Sequence, residues 1–366
     1  MQAKMKAGIV GFGLAGRNMH YRALVEGLGD MVEVTAVWNR SEIPRTGRTA
    51  NDFPLAETVA VYRDIDRFFE HPDIDVVHIT TPSGQHLEFI EHAAKEGKHI
   101  ICDKPLEVTL SRIDHAIEEC EKSRVKLTVS FQHRYNPHVR RLKDVIEKVS
   151  LGTIVAGTVE CKLYRNREYY TGSSWHGTYA LDGGAVLMNQ TIHYIDLLQW
   201  LMGAPAEKTR MGIAERLVHT CIEAEDFGYG ELTLANGATM TILGGTCFKP
   251  GISQSLEIKG TNGWASVTDG IVTKACWGGQ DRTGFFGEAS PVSGATSSPM
   301  LGLDNHIRYF RATYEALLKG TEVPITAREA RKATEIILSI YKAAETGKPV
   351  DFPLDIHYKP GCRHTG

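Results

Sequence analysis

No apolar run in this 366-residue chain approaches the roughly 18–20 residues that a membrane-spanning helix needs. Charge of one sign is also missing. Lys and Arg number 41 against 44 Asp and Glu, a formal net charge of -3, so the chain offers no field to attract nucleic acid or an anionic membrane. Paired cysteines are absent. The seven present are scattered, with no C-x-x-C and no zinc-ligand spacing, and read as reduced, mostly buried thiols. The 15 histidines include no H-E-x-x-H, and His86/His92 and His133/His138 are wrongly spaced to share a helical face, so no metal is expected. No internal repeat or heptad is found. No apolar stretch with a small-residue cleavage site follows Met1-Gln2-Ala3-Lys4, which makes the cytoplasm the expected compartment.

What the chain does have is the composition of a globular protein, 42% hydrophobic and 23% charged, and enough length for two domains. Lys6–Val10 is a short apolar run leading into Gly11-Phe12-Gly13-Leu14-Ala15-Gly16, with a helical segment predicted to about Glu26. This is G-x-G-x-x-G between a strand and a helix, the context in which it cradles a dinucleotide. Gly11 permits the tight turn, Gly13 lets the backbone approach a diphosphate, and Gly16 lets helix and strand pack closely. The diphosphate would rest on the helix N-terminus. The next strand, Val32–Trp38, ends in Asn39-Arg40-Ser41, where an NAD-binding fold usually has an acid for the ribose hydroxyls. A neutral Asn39 does not repel a 2′-phosphate and Arg40 and Ser41 can bind one, so NADP is favoured over NAD.

Strands and helices then alternate: Val59–Tyr62, Asp75–Ile79, Lys98–Cys102 and Val125–Phe131 read as strands, with helices between them. The pattern predicts a doubly wound parallel sheet. Three polar segments fall at carboxyl ends of its strands, on the edge where a dinucleotide lies: Thr80-Thr81-Pro82 through His86, Asp103-Lys104-Pro105, and Gln132 to Asn136. Pro105 disfavours helical geometry at Lys104. A lysine held there is either a candidate for chemistry or an ordinary surface residue, and those residues alone do not decide.

After a helix from Pro137 the character changes to longer strands, at Thr153–Leu163, Phe227–Leu234, Ala238–Leu243, Ser253–Lys259 and Trp264–Val267, with a hairpin turn at Asn236-Gly237. The stretch from Tyr164 to Gly184 is rich in rings with polar tips, including Trp175 and His176. It suits a sugar-like ligand or a loop packed on itself. From Ala185 a helix is predicted, and Asn189 and His193 share one of its faces. Gly278–Pro299 is expected to be a long loop, and helices are expected near Leu303–Lys319 and Ala327–Glu345.

Gly11–Gly16, Thr81-Pro82 with His86, Lys104-Pro105 and the His193 segment together resemble the Gfo/Idh/MocA oxidoreductases, the glucose–fructose oxidoreductase and inositol dehydrogenase family, over almost the whole chain. The resemblance implies a Rossmann-type doubly wound parallel sheet in residues 1–133. It implies an α+β domain with a large, mainly antiparallel open sheet in 134–366, the last helices packing back on the first domain. It implies an NAD(P)-dependent dehydrogenase of a sugar, cyclitol or sugar derivative, with Lys104 and His193 handling the proton of a secondary alcohol. Asn189 stands where the family commonly has Asp, and Asp103 where it commonly has Glu. Expected cofactor contacts are Gly11 to Gly16, Asn39, Arg40, Ser41, Thr80, Thr81, Pro82, His86, Asp103, Lys104, Gln132 and Trp175. Expected substrate contacts are Lys104, Arg134, Tyr164, Trp175, His176, Asn189, His193 and His306. A homodimer or homotetramer, pairing through the open sheet face, is implied too. Two other functions share these features: an oxidoreductase that recycles a retained NADP between two sugars, and a dinucleotide-sensing regulatory protein.

Overall fold

The computed structural model describes residues 4–288 and 303–361. In chain order its elements begin with β1 (Met5–Val10), a π-turn (Gly16–Tyr21) continuing as α1 (Arg22–Leu28), β2 (Val32–Trp38), β3 (Ala60–Tyr62), α2 (Ile65–Phe69), β4 (Val76–Ile79), α3 (His86–Lys95), β5 (His99–Cys102), α4 (Leu110–Lys122) and β6 (Leu127–Val129). There follow α5 (Pro137–Glu147), β7 (Ile154–Lys162), α6 (Arg167–Thr171), a second π-turn (Val186–Thr191) continuing as α7 (Ile192–Met202), β8 (Ala206–Glu215), β9 (Phe227–Leu234) and β10 (Thr239–Gly245). The chain closes with β11 (Ser253–Gly260), β12 (Gly263–Thr268), β13 (Ile271–Trp277), β14 (Gln280–Asp281), α8 (Asp304–Lys319), α9 (Ala327–Thr346) and β15 (Val350–Asp351).

Two compact units result. The first comprises residues 4–107, 111–132 and 303–330. Its six strands lie in the order β3-β2-β1-β4-β5-β6 and every pairing is parallel. The inner strands are apolar without alternation, as a sheet covered on both faces requires: all of Val76–Ile79 is buried, with Ala7, Ile9 and Val10 fully so. Chain order reverses between β1 and β4, the switch point at which such sheets bind ligands. The 303–330 segment is part of this unit. Arg311 donates to the Gly27 carbonyl and pairs with Asp30 at 2.9 Å, and Thr128 hydrogen-bonds the Tyr309 hydroxyl at 2.8 Å.

The second unit comprises 108–110, 133–302 and 331–366 in so far as they are described. Its nine-stranded sheet runs β14-β13-β12-β11-β7-β10-β9-β8-β15, antiparallel except for β7 and β10. Strands β8, β13, β14 and β15, which the sequence reading did not mark, complete it. Its helix side is packed closely enough to require bare backbone: a Cβ at Gly157 would strike Leu198 and Met202, and one at Gly230 would strike Ile340. Of the expected 278–299 loop, the described part includes β14 and a 3₁₀ turn at Thr283–Phe286; residues 289–299 lie outside the described residues. No described helix is long and apolar enough to cross a membrane.

Candidate active site

In the first unit, Gly11 leaves the end of β1 with φ +91, its N–H donating to the Trp38 carbonyl at the end of β2 (2.9 Å). A Cβ there would meet the Thr80–Thr81 backbone at 2.8 Å, and one at Gly16 would run into the Gly11 carbonyl. Gly13 has nothing within 4 Å of where a Cβ would stand. Two glycines are thus demanded by the fold, while the third is open on the side a ligand would approach. Thr80 Oγ1 donates to the Gly11 carbonyl (2.5 Å), tying β4 to the glycine loop. Bare backbone beside a helical N-terminus is what a dinucleotide diphosphate needs, so the residues fit that group.

Beyond Gly13, a cavity of ≈ 190 Å³ lies between Phe12, Gly13, Leu14 and Arg17 on one side and the Glu42–Asp52 strap on the other. Arg17, buried, holds the strap by donating to the carbonyls of Pro44 (2.6 Å), Phe53 (3.0 Å) and Arg45 (3.3 Å). Asn18 adds two bonds, to Asp52 and from the Phe53 N–H. At the end of β2, Asn39 Nδ2 donates to Ser41 Oγ at 2.8 Å, and Arg48 Nη2 donates to the same hydroxyl at 2.6 Å. Arg48 was not anticipated from the sequence. It stands seven residues after Ser41 and reaches it because the strap folds back.

Asp103 and Lys104 stand at the carboxyl end of β5, both half-buried, with the Lys104 N–H donated to Asp103 Oδ1 (2.9 Å). The segment is stapled by His86, buried at the start of α3. One ring nitrogen, Nε2, faces the Thr81 carbonyl at 2.9 Å. Nδ1 faces the Cys102 thiol, 3.2 Å away, whose proton is retained because burial pushes its pKa well above the ordinary value. The carbonyls of Pro105 and Leu106 lie against the same nitrogen at 3.0 and 3.2 Å. His86 thereby joins the ends of β4 and β5. Gln132 is buried in the turn after β6. His306 is buried too, its ring 6.2 Å from that of His20 and 5.9 Å from Phe310, within the first unit.

In the second unit, Gly183 (φ +79) and Gly184 (φ +147) lead into the second π-turn. A Cβ at Gly184 would collide with the Tyr341 hydroxyl. Glu225, fully buried, accepts from the Leu187 N–H (2.9 Å) and from the Tyr341 hydroxyl (2.7 Å), so it caps this helical start; burial raises its pKa to about 6. Asn189 lies on the π-turn, with Nδ2 donating to the buried Asp182 at 2.7 Å. His193 follows in the first turn of α7, its ring 4.8 Å from that of His133. Arg134 forms a buried two-bond pair with Asp196 of α7, at 2.7 and 2.6 Å. The aromatic stretch packs largely on itself: His176 stacks on Tyr169 (4.4 Å) and against Trp175 (3.9 Å). Gln190 ties it to the helix by accepting from Arg165 and donating to the Tyr169 hydroxyl, both at 2.8 Å. Tyr164 bridges to Cys247. Asp182, Gln190 and Glu225 were missed by the sequence reading, because each acts on partners that no local pattern announces. A larger cavity of ≈ 610 Å³, between Arg141, Lys148, Trp277 and Phe285, shares no residue with these groups.

Residues 5–131 match the family model for the oxidoreductase family with an NAD-binding Rossmann fold, and 139–266 match the GFO/IDH/MocA C-terminal domain. The chain is 25% identical over 367 residues to scyllo-inositol 2-dehydrogenase (NADP(+)) IolW of Bacillus subtilis, covering 94% of this chain and 95% of that one. Over 51% of each chain it is 27% identical to the D-xylose 1-dehydrogenase [NADP(+)] of Haloarcula marismortui. Among solved structures it is similar to the WlbA dehydrogenase of Bordetella pertussis in complex with NADH and UDP-GlcNAcA, at TM-score 0.81 and 26% identity, covering 96% of this chain and 100% of that one. A glycine cradle at the switch point of a parallel sheet, joined in one chain to this nine-stranded second unit, carries the same conclusion: the chain belongs to the Gfo/Idh/MocA family and is an NAD(P)-binding oxidoreductase of the sugar and inositol dehydrogenase type, acting on CH–OH groups.

Proposed function

We propose that this enzyme oxidises a secondary alcohol of a sugar, cyclitol or sugar derivative, or reduces the matching ketone, with NADP as the preferred cofactor. The observation that carries the reading is the placement of Lys104 at the carboxyl end of β5, on the sheet edge that also bears the Gly11–Gly16 cradle. The nicotinamide, when bound, supplies the hydride acceptor. Lys104 is assigned to donate a hydrogen bond to the substrate oxygen and stabilise negative charge developing on it. His193 is assigned to take the hydroxyl proton, a role suited to an imidazole whose ordinary pKa is near working pH. His86 and the Asp103 carboxylate fix the segment that carries Lys104.

For the cofactor, support comes from the neutral Asn39 and from Ser41 held between Asn39 and Arg48. Both inositol and xylose relatives named above are NADP(+) enzymes, while the WlbA structure contains NADH. A screen of sugars, cyclitols and nucleotide sugars with NADP and NAD, read as absorbance of the reduced nicotinamide, tests both halves. Turnover of at least one polyol, faster with NADP, is expected. No redox change across the panel would overturn the catalytic reading, and a preference for NAD would overturn the cofactor assignment. In K104A turnover should collapse with cofactor affinity little changed; near-normal turnover would remove Lys104 from the mechanism.

A further inference from the structure

Position 189, four residues before His193, carries an amide, and the structure sets a buried carboxylate against it. Asp182 is 1% exposed; one of its oxygens accepts from Asn189 Nδ2 at 2.7 Å and the other from the Gly177 N–H at 2.8 Å. An ionised carboxylate only accepts hydrogen bonds. The amide therefore stands one way round, nitrogen toward Asp182 and oxygen turned from it. Both partners are held independently: Asn189 by the π-turn that Glu225 caps, Asp182 by the Gly177 backbone and by the paired glycines that follow it. We propose that Asp182 is a positioning residue, fixing the polarity of the Asn189 amide and holding one negative charge beside the turn of helix that presents His193. Asp182 and Asn189 act as one unit in which the acid sits seven residues upstream of the amide. A negative charge on Asp182, in contact with the residue one helical turn before His193, favours the protonated form of that imidazole, as a proton acceptor requires. The inference rests on the reading of His193 as that acceptor.

A charge swap tests it. In D182N the new amide can satisfy the Gly177 N–H only by turning its nitrogen on Asn189, whose own amide must then reverse. In N189D two carboxylates meet at hydrogen-bond distance inside the protein and cannot both stay ionised. In the double variant D182N/N189D the amide at 182 keeps its oxygen on Gly177 and gives its N–H to the acid at 189, so both of these bonds are retained while the charge moves. The measurements are thermal melting and an imidazole NMR titration of His193 in the ligand-free protein, with H193Q identifying the resonance. Neither needs a substrate, so the outcome stands apart from the turnover screen that judges the catalytic reading. The His193 pKa should fall by about half a unit or more in D182N and return to at least its original value in the double variant. N189D should melt lowest of the four proteins, with the double variant recovering most of the loss. Identical His193 titrations in the parent protein and D182N, or a double variant melting no higher than N189D, would overturn the proposal. Should N189D fail to fold, the D182N titration still decides.

Discussion

At the scale of single residues, His86 and Arg48 separate two kinds of work. His86 is buried with backbone carbonyls within hydrogen-bond distance of both ring nitrogens, so it holds the Asp103–Leu106 segment in place. H86A should lower stability by about 1–3 kcal/mol, the cost of leaving buried partners unpaired, and should lower turnover while a cofactor is still bound. Thermal melting together with nucleotide-binding calorimetry would measure both. Arg48 is exposed and bonded to neutral acceptors, Ser41 Oγ and the Glu42 carbonyl (2.9 Å). R48A should weaken 2′,5′-ADP binding by about tenfold or more and leave 5′-AMP binding unchanged, because a charge-assisted bond to the 2′-phosphate exists only for the first. Equal weakening of both would assign Arg48 to the strap instead. The strand end that carries Lys104 was legible because a strand and a proline are local signals, whereas His86 was expected as a cofactor contact and its ring faces backbone carbonyls. Arg48 was not, since its role depends on where a strap without periodicity turns back. Arg134 was expected near substrate; its guanidinium is engaged by Asp196, 62 residues away, which no spacing rule could announce.

Among the elements, α7 is secured from several directions. Arg134 and Asp196 are 4% and 1% exposed, so the pair is held almost without water. R134A would leave Asp196 charged and buried and should cost about 3–5 kcal/mol, whereas R134L/D196L, which removes both charges, should cost clearly less. Chemical denaturation of the three proteins gives the comparison. The order of strands and helices was readable through the first unit because a covered parallel sheet writes itself as apolar runs. In the second unit β8 escaped notice. Its sequence AEKTRMGIAE has burial only at intervals, and register shifts break its pairing with β9. The two π-turns were equally invisible as such. Their residues read as ordinary helix, and only the bonds of the folded chain reveal the wider winding that places Gly16–Tyr21 and Val186–Thr191.

At the scale of the whole molecule, stability should depend on acid through histidines that the chemistry does not use. His20 and His78 lie fully buried in the first unit, Nδ1 to Nδ1 at 3.0 Å, with the Tyr314 hydroxyl 2.8 Å from the far side of His78. Burial lowers the His20 pKa from 6.5 to about 4, and that of His78 well below its ordinary value. The unfolded chain therefore binds more protons than the folded one between pH 6.5 and 4. The stability from His20, about 3 kcal/mol, is complete above pH 6.5 and is lost as pH falls through that window. Glu225 acts oppositely over a narrower range, since its raised pKa makes the fold gain from protonation below about pH 6. Melting temperature followed from pH 7 to pH 4 should fall, and H20L should flatten the decline. An unchanged slope would mean that the histidine cluster opens before the unit unfolds. Sedimentation should report a dimer or tetramer, the expectation the family resemblance carries.

The strap that Arg17 holds bears on kinetics as well as shape. Its three carbonyl bonds originate from the same helical turn that follows the glycine loop, so the two walls of the ≈ 190 Å³ cavity are tied to each other before any nucleotide arrives. Ordering has been completed during folding and need not be repeated at each encounter, which leaves more of the contact energy for affinity. Hydrogen exchange over residues 42–56 should then change little when nucleotide is added. In R17A the same segment should exchange quickly in the empty protein and slow sharply on binding, converting a standing enclosure into one assembled anew in every catalytic cycle.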